Sequence, residues 1–515
     1  MPVLTIPHLV EEGATRFGPL EAIVDGERRV DFRELRELML DTAAAFVAAG
    51  LAPGERVALW APNGWRWIVA CLGIQAAGGI LIPLNTRFKG AEAEFILRKS
   101  QAAMALAFGD FLGLSAWDLL APLDLPDMRR SIRIDGDGPD GWDAFLAAAQ
   151  PQHRREAEAR LAALAPDDIS DIMFTSGTTG NPKGAVTTHR QTVETAAQWS
   201  RSTTLGEGDR FAIVWPFFHT SGYKGGWVPC LCVGAAALPV PFLDADALLA
   251  LVAAEKATFL PGPPTLFQTL LTTPDRPPHA LDSVRVSVTG ASAVNPELID
   301  AIREELGIPN VITGYGLTET CGTVTMSHPG DSSIVLTTTS GKPIAGVSVR
   351  IADEAGRDVA PGEAGEILVK GMNVMQGYLD EPEATRAAFD KDGWLLTGDI
   401  GLLDGEGNLK ITDRKKEMYI VGGFNCYPAE IEKILLTHPS VMLVAVKSMP
   451  DERLGEIGVA HIVTKPGTMA SEDEIIAWSR ERMANFKVPR RVVIHDEMPM
   501  TATGKIQKYL LESPA

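Results

Sequence analysis

The chain has little cysteine, little basic charge and little aromatic content. Its 515 residues include five cysteines, 7% aromatic residues, and 47 Lys and Arg against 66 Asp and Glu, for a formal net charge of −19. Cysteines that are few, odd in number and scattered indicate free thiols in a reducing compartment, not a disulfide framework or a zinc site. The acidic balance argues against a nucleic-acid binder, because phosphate backbones would be repelled.

A membrane-spanning run is also missing from the sequence. Glu11 and Glu12 interrupt the N-terminal region, where a signal peptide needs an unbroken apolar segment. The longest uncharged stretch, residues 225–243, contains three prolines that would break a spanning helix. This stretch therefore predicts buried core, and we expect a cytoplasmic protein with no integral membrane segment. The oligomeric state is left open, a homodimer included.

What is present predicts an α/β fold with two domains. The length exceeds the ~250–300 residues at which a single hydrophobic core stops growing. Up to about residue 414, short apolar strands alternate with amphipathic helices, which is typical of a layered α/β body. Residues 415–515 carry the pattern of a compact α+β unit. We expect a large N-terminal domain, 1–414, and a small C-terminal domain, 415–515.

A glycine-rich segment carries the strongest chemical signal. Its glycines permit a tight turn with free amide groups, and its hydroxyls and a lysine add donors and positive charge. The segment predicts polyphosphate binding, with a polar surface turn as the alternative. It is not a Walker A loop, because Lys183 stands between Pro182 and Gly184. Its candidate binding residues are Thr175, Ser176, Gly177, Thr178, Thr179, Gly180 and Lys183.

Six further motifs follow in a fixed order. They are Gly290-Ala291-Ser292, Gly314-Tyr315-Gly316-Leu317-Thr318-Glu319-Thr320, Thr397-Gly398-Asp399, Asp413-Arg414-Lys415-Lys416, Gly422-Gly423-Phe424-Asn425 and Thr503-Gly504-Lys505. With the glycine-rich segment, they resemble the motifs of the adenylate-forming superfamily, which contains acyl-CoA synthetases, peptide-synthetase adenylation domains and beetle luciferases. The resemblance spans nearly the whole chain. It implies an enzyme that activates a small carboxylic acid with ATP and transfers the acyl group to coenzyme A.

The resemblance implies a nucleotide site. Residues 290–292 would lie along the edge of adenine, and Tyr315 would offer a ring for stacking, with Gly314 and Gly316 giving it clearance. The carboxylate of Asp399 can accept hydrogen bonds from both ribose hydroxyls, and Arg414 can donate another.

The resemblance also implies the catalytic residues. Glu319, beside Thr318, can supply a hard oxygen ligand to the Mg²⁺ that ATP carries, together with the hydroxyl of Thr175. Lys505 matches the C-terminal catalytic lysine of the family. Its ammonium would offset the charge that builds up when a carboxylate attacks the α-phosphorus.

A pivot of the small domain would let one site perform two reactions. By analogy with the family, that domain turns about Lys416 after the adenylate forms and withdraws Lys505. Gly422 and Gly423 would then line the channel for coenzyme A. Arg87 and Lys487 are further candidates for contacts with its phosphates.

Residues 216–226 resemble the family's acid pocket. His219 resembles the family's residue that gates this pocket, with a histidine of the core as the alternative. Tyr223 and Lys224 can hydrogen-bond carbonyl groups on an oxygenated or alicyclic acid, and solvent exposure of Lys224 is the alternative. The segment is similar to that of actinobacterial ligases acting on steroid-ring propanoates. The acid is therefore expected to be a fatty or a steroid-derived carboxylic acid.

Other functions stay open at this point. An adenylate-forming enzyme that loads a carrier protein is the main alternative, and an oxygenating luciferase is a remote one. A non-catalytic nucleotide-binding module is disfavoured because both Glu319 and Lys505 are present. A P-loop hydrolase is disfavoured by the displaced Lys183.

Overall fold

The computed structural model describes residues 4–175, 182–274, 276–290, 294–414, 419–421, 424–426, 428–451, 453–483, 485–501 and 505–512. For residues 413, 414, 420, 424, 425 and 430 the description is limited to the backbone. Several predicted site residues lie outside these limits: Ser176, Gly177, Thr178, Thr179, Gly180, Ala291, Ser292, Lys416, Gly422, Gly423, and the side chain of Arg414. We call the elements through Arg414 the N-terminal part and those from Tyr419 the C-terminal part.

Helices and strands alternate along the N-terminal part. Its helices are α1 (Ile6–Arg16), α2 (Phe32–Ala48), α3 (Trp65–Ala76), α4 (Gly90–Lys99), α5 (Ala116–Leu120), α6 (Trp142–Ala147), α7 (Pro151–Ala163), α8 (His189–Thr203), α9 (Thr220–Gly222), α10 (Val228–Val233), α11 (Ala245–Glu255), α12 (Pro264–Thr272), α13 (Pro296–Glu304), α14 (Ser333–Thr338) and α15 (Pro382–Ala387). A π-helix, Tyr223–Trp227, precedes α10, and Thr318–Thr320 forms a 3₁₀ turn.

The strands of the N-terminal part fall into two groups. The first group is β1 (Glu21–Asp25), β2 (Arg28–Asp31), β3 (Arg56–Trp60), β4 (Ile80–Pro83), β5 (Met104–Ala107), β6 (Arg130–Arg133), β7 (Ile169–Thr175), β8 (Lys183–Thr188), β9 (Arg210–Ile213), β10 (Ala236–Pro239), β11 (Val286–Val288) and β12 (Asn310–Ile312). The second is β13 (Gly314–Tyr315), β14 (Thr325–Met326), β15 (Lys342–Pro343), β16 (Val347–Ala352), β17 (Gly365–Gly371), β18 (Gly377–Tyr378), β19 (Leu395–Leu403) and β20 (Leu409–Arg414).

Two large sheets enclose the main core. One has the strand order β18-β8-β7-β4-β3-β5-β6, and the other β2-β1-β10-β9, which isolated bridges through Phe259 connect to β11 and β12. Helix α3 contacts strands of both sheets. Its residues from Trp67 to Ala76 are all buried, because a helix between two sheets has no solvent-facing side and is apolar all round.

Two smaller antiparallel sheets continue the N-terminal part. They have the orders β13-β14-β15 and β16-β17-β19-β20. In the second sheet, Asp399 on β19 pairs in register with Arg414 at the end of β20. The first of these sheets begins at the Gly314-Tyr315 motif, so each carries one of the predicted nucleotide-binding motifs.

The C-terminal part has a sheet and a core of its own. Its elements are β21 (Tyr419–Val421), β22 (Phe424–Cys426), α16 (Pro428–Leu435), β23 (Val441–Asp451), β24 (Gly455–Thr464), α17 (Glu472–Arg480), β25 (Arg491–His495) and a 3₁₀ turn, Lys508–Leu510. The strands run β22-β21-β24-β23, with β25 added parallel to β24. Buried side chains of this sheet and of α16 and α17 form a separate apolar cluster.

Three helices begin at side chains that cap their first turns. At α8, the backbone N–H of Thr188 donates to Gln191 at 2.8 Å and that of Gln191 donates back to the Thr188 hydroxyl. Ser471 and Glu474 form the same reciprocal pair at α17. The side chain of Asn295 accepts from the backbone of α13. Each side chain thereby satisfies an amide that the helix itself leaves unpaired.

The uncharged stretch 225–243 is mostly buried core as far as Val240, as expected, but its last three residues, Pro241, Phe242 and Leu243, are exposed. It forms the end of the π-helix, then α10 and β10, and every residue of β10 is buried. Across the described ranges, no helix combines the length and the apolar character needed to cross a membrane. All five cysteines are free.

His189, the first residue of α8, is fully buried and receives a hydrogen bond from the backbone N–H of Ile6 at its Nδ1 atom, 3.4 Å away. Burial, helped by the charges of His8 and Lys224, lowers the pKa of His189 to about 3. An unfolded histidine takes up its proton near pH 6.5, so between pH 6.5 and about 3 the unfolded chain binds the extra proton. Stability contributed by neutral His189 is therefore lost as the pH falls.

We expect His189→Gln to flatten the acid side of the stability profile. In the parent chain, this group steepens the fall in unfolding free energy by up to about 1.4 kcal/mol per pH unit below pH 6. Urea denaturation at several pH values between 7 and 4 measures the slope. His279→Gln, at an exposed histidine, is the control. Equal slopes in the His189 variant and the parent would contradict the assignment.

Candidate active site

The ends of the glycine-rich segment are fixed by a hairpin. Thr175 ends β7 and Lys183 begins β8, and the two residues pair directly in the antiparallel ladder. The Thr175 hydroxyl also donates to the carbonyl oxygen of Lys183 at 3.4 Å. The loop between them lies outside the described residues, but its two ends start from one rigid point of the seven-stranded sheet.

Tyr315 and Asp399 are brought together although 84 residues separate them. The Tyr315 hydroxyl donates to Asp399 Oδ2 at 2.6 Å, and Asp399 is only 4% exposed. A ring and a carboxylate in contact are suited to the base and the ribose of one nucleoside. A Cβ built on Gly290 would lie 3.8 Å from the carbonyl oxygen of Gly314. The predicted adenine-edge segment therefore starts beside the tyrosine motif.

Glycine is required on both sides of Tyr315 for a reason different from the one expected. A Cβ on Gly316 would come within 2.1 Å of the carbonyl oxygen of Gly322, and one on Gly314 within 2.9 Å of that of Thr325. Both positions therefore need glycine because neighbouring backbone passes too close. Clearance for adenine, the reason inferred from the sequence, is not required to explain them.

Glu319 is held by a tyrosine that the sequence did not single out. The Tyr378 hydroxyl donates to Glu319 Oε1 at 2.8 Å, and the backbone N–H of Met375 donates to the Glu319 carbonyl oxygen at 2.9 Å. Burial and the charge of Glu319 raise the pKa of Tyr378, so its phenol stays a donor. Lys183 Nζ lies 5.1 Å from the centre of the same ring. No local spacing joins Tyr378 to a residue 59 positions away.

The oxygen atoms of Glu319 and Thr175 are of the kind that binds a magnesium ion. Glu319 and Thr175 offer carboxylate and hydroxyl oxygens, the hard ligands that Mg²⁺ prefers, and phosphates usually complete its shell. Glu319 is fixed at Oε1, and its other oxygen accepts no hydrogen bond from the residues the structure describes. Elsewhere in the described part of the chain, no group of three or more His, Cys, Asp or Glu is arranged to hold a metal.

His219 is the N-cap of the short helix α9. Its Nδ1 lies 2.9 Å from the Ser221 hydroxyl and accepts from the Ser221 backbone N–H. The next residue, Thr220, contacts Gly322, where an added Cβ would be 2.8 Å from the Thr220 side chain. The proposed pocket gate therefore packs on the turn that follows Glu319.

Lys505 acts on His219 from the far end of the chain. Burial, together with the positive charge of Lys505, lowers the pKa of His219 to about 4. Around Lys505, the backbone N–H of Thr501 donates to the Lys505 carbonyl oxygen at 2.7 Å, and Met500 bridges to Ile506. These two contacts fix the backbone of Lys505 against residues 500 and 501.

Tyr223 and Lys224 do not face a ligand, which corrects the prediction made for both. Tyr223 is fully buried, stacks on Trp227 with ring centres 5.2 Å apart, and its hydroxyl accepts from Gln75 at 2.8 Å. Lys224 is 1% exposed, so the alternative of a solvent-exposed lysine is wrong as well. Both polar groups are occupied by the protein instead of by the carbonyls of an acid.

Lys224 is instead half of a buried ion pair. Its Nζ lies 2.8 Å from Asp171 Oδ1 and donates to the Thr187 hydroxyl at 2.6 Å. The hydroxyls of Ser170 and Thr187 each donate to the carboxylate of Asp171. Burial is the largest single effect on the pKa of Lys224 and lowers it, but Asp171 and Cys321 together outweigh burial and raise the pKa, so the ammonium is charged.

This pair joins three parts of the site. Asp171 lies on β7, which ends at Thr175, and Lys224 lies in the π-helix that follows His219. Lys224 Nζ also lies 3.9 Å from the sulfur of Cys321, two residues after Glu319. A π-helix is a rare element that is frequent at functional sites. Here the π-helix directs Lys224 towards Asp171 on β7 and Thr187 on β8.

We expect Asp171→Asn and Lys224→Met each to destabilise the fold by about 3–5 kcal/mol. The first change leaves the buried ammonium of Lys224 without its carboxylate, and the second leaves the buried carboxylate of Asp171 without its ammonium. The double variant should lose less than the sum of the two. Chemical denaturation measures all three. The exposed pair Glu12–Arg16 is the control, with changes within about 0.5 kcal/mol. Strict additivity at 171 and 224 would contradict the coupling.

Comparison with known proteins agrees with this geometry. The family model described as AMP-binding enzyme matches residues 10–379, and that of the AMP-binding enzyme C-terminal domain matches residues 430–505. Two relatives, from Rhodococcus jostii and Mycobacterium tuberculosis, are each 44% identical; the alignments cover 98% of this chain and 98% and 97% of theirs. Both are propanoyl:CoA ligases whose acid bears a 7a-methyl-1,5-dioxo-octahydroindene ring system.

Solved structures are also similar over nearly the whole chain. An anthranilate CoA ligase in complex with anthranoyl-AMP has a TM-score of 0.89 at 28% identity, covering 99% of this chain and 97% of that one. ATP-bound MatB from Rhodopseudomonas palustris has a TM-score of 0.88 at 28% identity, covering 98% of both. The chain therefore belongs to the AMP-binding enzyme family, as an AMP-forming acyl-CoA synthetase that uses ATP, Mg²⁺ and coenzyme A.

Proposed function

We propose that the chain forms the coenzyme A thioester of a ring-bearing propanoic acid of the steroid-derived class. The observation that carries the proposal is the 44% identity, over nearly the whole chain, to two ligases that act on such an acid. A medium-chain fatty acid is the second candidate, because ligases of that class are 31–32% identical over 98% of the chain. The similar ligases act on coenzyme A, so loading of a carrier protein is not favoured.

The first step is adenylate formation. A carboxylate oxygen of the acid attacks the α-phosphorus of ATP, the bond between that phosphorus and the bridging oxygen breaks, and pyrophosphate leaves. In the proposal, Tyr315 and Asp399 hold the adenosine while Thr175, Lys183 and the loop between them hold the phosphates. When bound, Mg²⁺ withdraws charge from those phosphates, and Glu319 and Thr175 would hold it there.

Lys505 is assigned to the transition state of this step. Two anions approach one another, and negative charge accumulates on the oxygens of the α-phosphorus, where a preorganised ammonium is most effective. The positive charge of Lys505 contributes to the lowered pKa of His219, and this supports placing the ammonium near the proposed gate of the acid pocket. His219 is neutral at physiological pH, so the gate does not repel the lysine.

The second step is thioester formation. The sulfur of coenzyme A attacks the acyl carbonyl carbon, the bond from that carbon to the AMP oxygen breaks, and the thiol proton is released. AMP is a stable leaving group, so little acid–base assistance is needed. We assign the pivot to Lys416, an additional ribose contact to Arg414 and the thiol channel to Gly422 and Gly423, on the resemblance of their motifs. Cytoplasmic location and dimerisation stay predictions.

A panel of acids tests the substrate. We expect AMP release, with coenzyme A present, to be fastest with a propanoic acid on a fused, oxygenated ring system. Octanoate and benzoate serve as matched fatty and aromatic comparisons. A kcat/KM for octanoate equal to or above that for the ring-bearing acid would overturn the proposed substrate class and leave the ligase activity in place.

We expect Lys505→Ala to slow adenylate formation by about 10²–10³-fold, because it removes one preorganised charge from the transition state. Thioester formation from supplied acyl-adenylate should change little. Acid-dependent pyrophosphate exchange measures the first step, and release of AMP from the adenylate by coenzyme A measures the second. Lys465→Ala, at an exposed lysine of the C-terminal part, is the control. An equal loss in both steps would refute the assigned role.

A further inference from the structure

Two adjacent residues of α16 connect Lys505 to the rest of the molecule. Glu432 faces the chain terminus, and Lys433 faces the N-terminal part. Neither belongs to a motif that the sequence singled out.

Glu432 binds both the sheet and the terminal segment. Its Oε1 accepts from the backbone N–H of Val446 on β23 at 2.7 Å and lies 2.8 Å from Lys508 Nζ. The carboxylate is 14% exposed, so this ion pair is screened less than one on the surface. We call the ion pair of Glu432 and Lys508 the clamp. Lys508 is three residues beyond Lys505, so the clamp holds the chain just after the catalytic lysine.

Other contacts hold the same segment on the sheet. Lys447 Nζ donates to the carbonyl oxygen of Leu511 at 2.6 Å. Leu511 and Met498 are buried in a small apolar cluster with Ala445 and Val463 of the sheet. The segment that carries Lys505 is therefore attached to the C-terminal part on both sides of the lysine.

Lys433 makes a contact that crosses between the two parts. Its Nζ donates at 2.7 Å to the carbonyl oxygen of Thr337, in the last turn of α14. Such carbonyls have no partner within their own helix, and a lysine ammonium is well suited to bind them. Burial, with the nearby charge of Lys410, lowers the pKa of Lys433.

The helix that accepts this bond is tied to the nucleotide site. The hydroxyl of Thr313 donates to the carbonyl oxygen of Leu336, the residue before Thr337. Thr313 immediately precedes Gly314 and Tyr315. A displacement of the C-terminal part at Lys433 is therefore a displacement relative to the adenosine-binding residues.

We propose that Glu432 and Lys433 are positioning residues for Lys505 in adenylate formation. Glu432 fixes the terminal segment on the C-terminal part, and Lys433 fixes that part on α14. The inference rests on the proposed function, in which Lys505 acts in the first step and withdraws before the second. The contact of Lys433 with Thr337 must then break between the steps, whereas the contact of Glu432 with Lys508 need not.

We expect Lys433→Met to slow pyrophosphate exchange about tenfold, the value of one hydrogen bond to a charged group. Thioester formation from supplied acyl-adenylate should stay within twofold or become faster, because the contact opposes the pivot. Lys433→Arg keeps a donor and should restore most of the first step. Lys465→Met is the matched control and should leave both steps unchanged.

Variants of the Glu432–Lys508 ion pair test the role of Glu432. Glu432→Gln keeps an oxygen for Val446 but loses the charge that binds Lys508, so it should slow the first step and spare the second. Lys508→Met should have the same effect, and the double variant should be no worse than either single one. A similar thermal midpoint in all variants, or an intact second step, shows that the fold is retained.

The outcomes separate this inference from the function on which it rests. If Lys505→Ala leaves pyrophosphate exchange intact, the proposed function fails. If Lys505→Ala slows exchange but Lys433→Met and Glu432→Gln do not, only the positioning roles are overturned. An equal loss of both steps in Lys433→Met, or no rescue by arginine, also overturns the role of Lys433.

Discussion

The buried ion pair of Asp171 and Lys224 is the interaction on which the site depends. Moving two charges out of water costs several kcal/mol per ion, and their attraction offsets that cost only with good geometry and further hydrogen bonds. The hydroxyls of Ser170 and Thr187 supply these bonds. Because the pair links β7, β8 and the π-helix, the paired strands β7 and β8 and the segment after His219 take up one fixed relation to each other.

The neutral state of His219 follows from the same enclosed setting. A protonated imidazole beside the Lys505 ammonium would repel it, and the lowered pKa of about 4 removes that repulsion at physiological pH. The lysine can therefore approach a histidine without an acidic partner to compensate. It could also move away without leaving an unpaired positive charge on His219, which suits the role in only the first step that we propose for Lys505.

Local structure could be predicted from the sequence because its causes are local. A capping pair such as Thr188 with Gln191 involves residues only three positions apart. The apolar surface of α3 likewise follows from one short stretch of sequence. The motifs likewise identified Tyr315 and Asp399 as parts of one site, which the contact between them agrees with. The order of strands in the two large sheets was not predictable in this way, because it depends on packing of the whole chain.

Two of the failures, at Lys224 and Tyr378, have one cause, a partner distant in sequence. Lys224 suggested a ligand contact because its partners Thr187 and Cys321 lie 37 and 97 residues away, where no spacing rule applies. Tyr378 was missed since its role exists only through Glu319. Gly316 was assigned a ligand-related reason, although the carbonyl of Gly322 accounts for it. Side chains near a motif are thus the ones most easily mistaken for ligand contacts.

The attachments of the C-terminal part differ in strength in the way that a two-step site requires. The segment carrying Lys505 is held to its own sheet by an ion pair, a second lysine and buried apolar side chains. The contact described between α16 and α14 is a single side-chain hydrogen bond, of a kind worth about 1.5–3 kcal/mol. A bond of that size shifts an equilibrium between two arrangements by one to two powers of ten without locking it. Lys505 would then stay fixed within the C-terminal part while that part makes the proposed pivot, so its position in the first step is defined without preventing the second.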